Sequence, residues 1–241
     1  PSASYASDDG TFTNTERRVQ RVRFAVPPPG EAKPVWETIS KIARKMGAKG
    51  FDYTHASQVW AEMISLTPSM AGITYERIAN SGLQWPCPTV DHPGTPILHT
   101  KVFSRGKGYF VPLIYRTSVE LPDAEYPLTL TTGRHLYHYH TGTMTRRTAG
   151  LEKLYGEEWV EINAKDAKDM GINHGDKVKV ASRRGEVAAR AKVTEVNPVG
   201  LVYMNFHFTE SPTNATTINA LDPISKTPEL KVCAVKIIKT S

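Results

Sequence analysis

Cysteine is almost lacking in this chain of 241 residues: only Cys87 and Cys233 occur, far apart. That excludes a disulfide scaffold. It also leaves too few thiolates for an iron–sulfur cluster or a Cys-based zinc site within these residues, and it makes a reducing compartment the default. Long apolar runs are lacking too, and nothing approaches the roughly 18 residues that a membrane-spanning helix needs. No Gly-rich stretch ending in Gly-Lys-Ser/Thr is present, so ATP hydrolysis of the P-loop type has no support. A dinucleotide Gly-x-Gly-x-x-Gly after a strand, a Gly-x-Ser-x-Gly elbow and a His-Glu-x-x-His pair are likewise absent. The start, Pro1-Ser2-Ala3-Ser4, carries neither an initiator Met nor a signal-peptide pattern, so the expectation is a fragment or processed chain.

Positive charge is in excess. The formal net charge is +6 and the pI about 9.2. Such a balance favours anionic ligands such as phosphates, nucleotides, carboxylates or nucleic acid. The basic residues are spread along the chain, so charge alone selects no partner. One stretch is denser in donors than a structural loop requires. Behind a short apolar strand at Tyr126–Leu130 come Thr131, Thr132, Gly133, Arg134, His135, His138, His140, Thr141, Gly142, Thr143, Met144, Thr145, Arg146, Arg147 and Thr148. Glycines let backbone N–H groups approach a ligand, hydroxyls and imidazoles give directed hydrogen bonds, and guanidinium groups neutralise phosphate. An extended polar, anionic ligand fits this pattern; a solvated polar loop is the plain alternative.

The rest of the chain divides near Leu121-Pro122-Asp123, giving units 1–121 and 122–241. In the first, Gly10 to Gln20 reads as a charged surface loop running into extended chain. Pro34 starts a helix whose Val35, Ile39, Ile42 and Met46 share a packing face, ended by Gly47. A second helix is expected near Ser57–Leu66, ended by Pro68, and a third, capped by Thr74, over Tyr75–Asn80. Strand-like pieces lie at Ile97–Phe103 and Tyr109–Tyr115. In the second unit, short strands at Trp159–Ile162, Lys177–Val180, Glu186–Val196, Leu201–Phe206 and Cys233–Ile238 alternate with turns. Asn163 and Gly171 bracket one small helix. Strands of this kind imply a closed β-barrel rather than a βαβ sheet, within an α+β chain.

Three further groups bear on ligand binding. His138 and His140 would share a face if extended, yet no carboxylate or Cys stands near them in sequence, so hydrogen-bonding imidazoles are favoured over a metal site. Asn205-Phe206-His207-Phe208 with Asn214 in a Thr-rich turn could meet a planar ring, or be an ordinary Asn turn. Lys231, after the proline-rigid stretch Pro223–Leu230, could reach a carboxylate, phosphate or carbonyl.

At this point the residues resemble a known family, the molybdenum- or tungsten-dependent formate dehydrogenases. The resemblance is carried by Gly10–Gln20, by the Trp36, Ile39, Ile42, Ala43, Met46, Gly47 helix, and by Thr74-Tyr75-Glu76-Arg77 followed by Gln84-Trp85-Pro86-Cys87. It continues through Tyr126-Pro127-Leu128, Tyr139 and Met144-Thr145 to Pro223–Glu229 and Cys233-Ala234-Val235, in the same order over nearly the whole chain. It covers the C-terminal third of such a catalytic subunit. It implies the end of an α/β domain followed by a double-psi β-barrel-like domain. It also implies a bis-molybdopterin guanine dinucleotide with Mo or W, and formate oxidised to carbon dioxide or the reverse. Carried over by position, Thr132, Gly133, Arg134, His138, His140, Thr141, Gly142, Thr143, Met144, Phe206, Asn214 and Lys231 would bind that cofactor. The family's cluster-binding cysteines, its metal-ligating selenocysteine or cysteine and its substrate arginine are not in these residues. A 4Fe-4S cluster is therefore expected only in the N-terminal portion of the same subunit, and no catalytic or metal-ligating residue here. Iron–sulfur electron-transfer subunits are the implied partners, with a cytoplasmic location, no membrane span and no nucleic acid. Where some members carry an aromatic hydroxyl, this chain has Phe206. Two alternatives remain. One is another molybdopterin oxidoreductase. The other is a nucleotide- or nucleic-acid-binding barrel that stacks bases on Tyr137, Tyr139 and Phe206.

Overall fold

The computed structural model describes residues 3–240. The chain forms two compact units, Pro1–Val111 and Pro112–Ser241.

In the first unit, β1 (Gly10–Thr13) and β2 (Arg18–Val22) form a hairpin, and β3 (Leu83–Gln84) pairs with β2. The block expected as a surface loop is thus a sheet, and its arginine is not solvated. At the hairpin turn Arg17 takes φ 66°, and its guanidinium donates to the carbonyls of Trp85, Thr95 (2.9 Å) and Pro96 (2.9 Å). Helices α1 (Val35–Lys45) and α2 (Ala56–Ser65) follow. Trp60 and Ile64 of α2 pack with Val19, Ile73, Tyr75, Ile78 and Cys87, and the Trp60 indole donates to Ile73 O at 2.7 Å. The stripe of α1 does not pack as expected. Val35, Ile39, Ile42 and Met46 are all exposed, and Ser40 is the helix's buried residue. The expected third helix is a single turn, with Ile78 N donating to Thr74 O at 3.3 Å; one turn cannot offset its own nucleation cost. The expected strands at 97–115 do not form. Ile97, Tyr109, Phe110 and Tyr115 lie exposed, and a strand without a partner is not stable.

The second unit is a closed six-stranded barrel of the double-psi kind, in the order β4–β8–β5–β7–β6–β9. Its strands are β4 (Leu128–Gly133), β5 (Trp159–Asn163), β6 (Lys177–Ala181), β7 (Glu186–Thr194), β8 (Leu201–Asn205) and β9 (Cys233–Lys239). Two short helices, α3 (Ala149–Leu154) and α4 (Ala164–Asp169), sit in the connections, and Asn163 caps α4 by accepting from Lys165 N. Alternation builds the core: Leu128, Leu130, Val160, Ile162, Val178, Val180, Val202, Met204 and Val235 all point inward. Among the described residues no helix is long and apolar enough to cross a membrane.

Register decides where the loops emerge. β4 runs parallel to β8, with Gly133 opposite Asn205. β5 runs antiparallel to β8 and parallel to β7, while β6 runs antiparallel to both β7 and β9. The C-terminal ends of β4, β6 and β8 therefore share one rim with the N-terminal ends of β5, β7 and β9. Connections 134–158, 182–185 and 206–232 all leave from that rim. Thr132 and Gly133, expected in a loop, are the last residues of β4.

One carboxyl is buried at this rim. Glu158, just before β5, accepts from Asn205 N at 2.9 Å through Oε1, while its Oε2 has no partner. Burial pushes its pKa up to about 8, so the group holds its proton at neutral pH.

Two stability measurements follow. Ile162→Ala deletes a fully buried side chain and should cost about 3 kcal/mol in urea unfolding, whereas Ile238→Ala, at a partly exposed site, should cost under about 1. The Glu158 proton is kept by the folded chain and released by the unfolded one between about 4.5 and 8. Stability should therefore fall as pH rises through that window, and Glu158→Gln should remove that part of the fall.

Candidate functional site

At the shared rim, the exit of β4 and the exit of β8 are tied together. Tyr203 of β8 donates its hydroxyl to Arg134 O at 3.0 Å, and its ring fills the space beside Gly133, where a Cβ would collide with it. His135 N donates to His207 Nε2 at 2.7 Å, and His207 Nδ1 bonds His140 O. The His135 ring stacks on Tyr155 at 3.7 Å, and Asn205 Nδ2 donates to the Tyr155 hydroxyl at 2.9 Å. Burial pushes the His135 and His207 imidazoles below the usual value and the Tyr155 phenol well above it.

Four expected site residues gather on this frame. The Phe206 ring has Arg134 Cζ 5.8 Å from its centroid and Lys231 Nζ at 5.7 Å, with the His140 ring edge-on at 6.0 Å. Both cations favour the face of an aromatic ring, and neither has a carboxylate partner among the described residues. Lys231 also donates to Thr132 O, and Thr132 donates its hydroxyl to Leu230 O at 2.8 Å. The result is an open surface with two unneutralised positive charges.

The remaining expected residues divide between display and support. Thr141 and Thr143 are exposed with their hydroxyls 3.1 Å apart, and Met144 is exposed beside them. Gly142 is buried at φ 75°, and a Cβ there would stand 2.7 Å from His207 O and 2.8 Å from Arg146 Cδ, so only glycine fits. His138 is buried and engaged at both nitrogens, by Thr145 Oγ1 at 3.1 Å and by Tyr155 O. Its imidazole shapes the loop from within. Asn214 shares the rim but not the cluster. It is exposed in a 3-10 turn, Thr213–Ala215, beside the β6–β7 turn, whose Arg184 donates to Thr216 O at 3.1 Å.

Arg146, in the run read either as phosphate-binding or as a solvated loop, does neither. It is taken up by two carboxylates, Glu152 (2.9 Å) and Glu210 (2.7 Å), and lies 4.7 Å from the Phe208 ring centroid. Its guanidinium holds the Glu210 carboxyl down at about 2. Sequence reasoning also missed Tyr155, Tyr203 and His207 as organisers. His207 was visible within the Asn205–Phe208 group, but nothing local shows that it meets the loop leaving the neighbouring strand β4.

The residues present suit a diphosphate-bearing guest: two cations with no carboxylate partner among the described residues, and a pair of exposed hydroxyls. Two buried polar atoms on the rim loops, His135 Nδ1 and Thr213 Oγ1, also lack a partner.

Comparison with known proteins agrees. The Molydopterin dinucleotide binding domain family matches residues 128–234, and the Molybdopterin oxidoreductase family matches residues 1–45. The chain is 52% identical to F420-dependent formate dehydrogenase 2 subunit alpha of Methanococcus maripaludis over 99% of its own length and 36% of that protein. It is 37% identical to the assimilatory nitrate reductase catalytic subunit of Bacillus subtilis over 99% of its length and 35% of that protein. It thus spans about a third of the length of the curated relatives it matches. Acetylene hydratase from Pelobacter acetylenicus shares the fold, with TM-score 0.72 and 18% identity over 100% of this chain and 38% of that one. Residues 128–234 thus belong to the Molydopterin dinucleotide binding domain family, and residues 1–45 match the Molybdopterin oxidoreductase family.

Proposed function

We propose that this chain is the cofactor-clamping portion of a formate dehydrogenase catalytic subunit, interconverting formate and carbon dioxide at a Mo or W bis-molybdopterin guanine dinucleotide centre. The observation that carries the reading is the pair of unneutralised cations, Arg134 and Lys231, flanking Phe206 on the rim of a dinucleotide-binding barrel. Arg134, Lys231 and the hydroxyls of Thr141 and Thr143 would take the diphosphate oxygens. His140, Met144, Phe206 and Asn214 would meet the ring systems. Thr132, Gly133, His138 and Gly142 keep the loop in the shape that presents those groups. When bound, the metal–pterin group supplies the redox chemistry. This chain binds it, orients it and balances its charge.

Formate is favoured as substrate by the 52% identity to a formate dehydrogenase subunit against 37% to a nitrate reductase. The remaining portion of the catalytic subunit would carry a 4Fe-4S cluster and pass electrons to iron–sulfur subunits. F420 is the acceptor suggested by the relative's own name. Two free, buried cysteines suit a cytoplasmic location.

Denaturing the purified intact subunit should release an oxidised fluorescent pterin, guanine nucleotide and about stoichiometric Mo or W. Recovery of none of these rejects the reading. In the intact subunit, Arg134→Ala and Lys231→Ala should each weaken cofactor retention about tenfold or more, the loss of one charge-assisted hydrogen bond to phosphate. Ile238→Ala, remote from the rim, should leave retention unchanged.

A further inference from the structure

We propose that His207 is the positioning residue of the dinucleotide loop: its imidazole bridges both ends of the turn from His135 to His140 and holds that turn in the shape that meets the cofactor. The inference deepens the reading of the rim as a dinucleotide cradle and rests on it.

His207 is fully buried, two residues beyond the last residue of β8. Its two ring nitrogens have opposite duties. The His135 backbone N–H, 2.7 Å from Nε2, can only donate, so Nε2 must offer a lone pair. The His140 carbonyl can only accept, so Nδ1 must carry the proton. One neutral tautomer satisfies both. An Asn side chain reaches only the Nδ1 position and a Gln only the Nε2 position, so neither alone replaces the bridge.

The same residue constrains two left-handed positions, of which His140 is the strained one. His140 takes φ 50° and Gly142 φ 75°, both left-handed. A non-glycine residue at positive φ is costly and persists where its surroundings hold it. The bond from His207 holds the His140 carbonyl, and the His207 carbonyl packs against Gly142. His207 also follows Phe206 directly, the ring that Arg134 and Lys231 flank. One residue thereby sets the turn's two ends, its glycine and the seat of its cations.

The groups facing the imidazole disfavour a second proton. They are Arg134, His135 and His138 on the loop from β4, with the uncharged rings of Phe206 and Phe208 beside it; the His140 carbonyl, which accepts from Nδ1, acts in the opposite sense. Burial, the largest cause, moves the His207 pKa below its usual value. A folded pKa lowered in this way contributes stability that is complete above the ordinary imidazole range and lost as pH falls through the folded value. Protonating Nε2 removes the acceptor for His135 N–H and should loosen the turn.

The test is hydrogen exchange in the intact subunit, read on peptides covering 134–145, with pterin and guanine release measured in parallel. His207→Phe keeps a ring and loses both bonds. It should exchange about tenfold faster over this loop, the effect of losing a net hydrogen bond or more, with peptides 164–176 at the opposite rim unchanged. His207→Gln and His207→Asn should fall between it and the parent. Cofactor release should follow the same order, and the parent's loop, corrected for intrinsic exchange, should speed up in acid while that of His207→Phe does not. Should His207→Phe fail to fold, the Gln and Asn variants decide. Loop exchange equal to the parent's, or acceleration spread across the barrel, overturns the proposal. A parent subunit holding neither pterin nor guanine nucleotide defeats the cradle reading instead, while the exchange ranking still decides the bridge.

Discussion

Two strands that run side by side in the same direction, β4 and β8, set the arrangement on which the site depends. Each ends at the same level, Gly133 beside Asn205, so two loops far apart in sequence begin together. A hairpin would join such ends by a tight turn; a parallel pair cannot, and each strand must send its connection elsewhere. Closing the sheet then brings the β6–β7 turn and the start of β9 to the same rim. The barrel needs no side chain to gather Arg134, Phe206, Asn214 and Lys231 at one end.

Side chains decide what the gathered loops become. Tyr203 under Gly133, His207 between His135 and His140, and Tyr155 stacked on His135 turn two exits into one surface. Glu158 anchors that layer from below through Asn205 N. His207 and Glu158 are buried and the others half-buried, and most are neutral, so they form a low-dielectric layer beneath the exposed charges. The charged groups stand outermost.

Much of the barrel was legible because its strands alternate. Val178 and Val180, or Val187, Ala189 and Ala191, declare an inward face without reference to the rest of the chain. The bracket of Asn163 and Gly171 placed α4 for similarly local reasons. Where the deciding partner lay far off, local pattern failed. Arg17 reads as a solvated charge until the carbonyls of Trp85, Thr95 and Pro96 come to it. The α1 stripe reads as core because an apolar face announces only that it can be covered, not that these residues cover it. The 97–115 segment has strand-forming residues but no strand to pair with.

Arg134 and Arg146 show why a loop rich in arginine is not read from charge alone. Both lie in the same stretch and both sit near a phenylalanine ring. Arg146 meets Glu152 and Glu210, so its charge is spent within the protein and its part is to brace α3 against the loop after β8. Arg134 has the Phe206 ring and no carboxylate among the described residues, and Lys231 meets the same ring. Two cations without carboxylate partners beside one ring leave a local positive potential that an anion would lower. Among the described residues, carboxylates meet Arg146 and none meets Arg134 or Lys231, so the loop's charge is spent at one arginine and left over at the other.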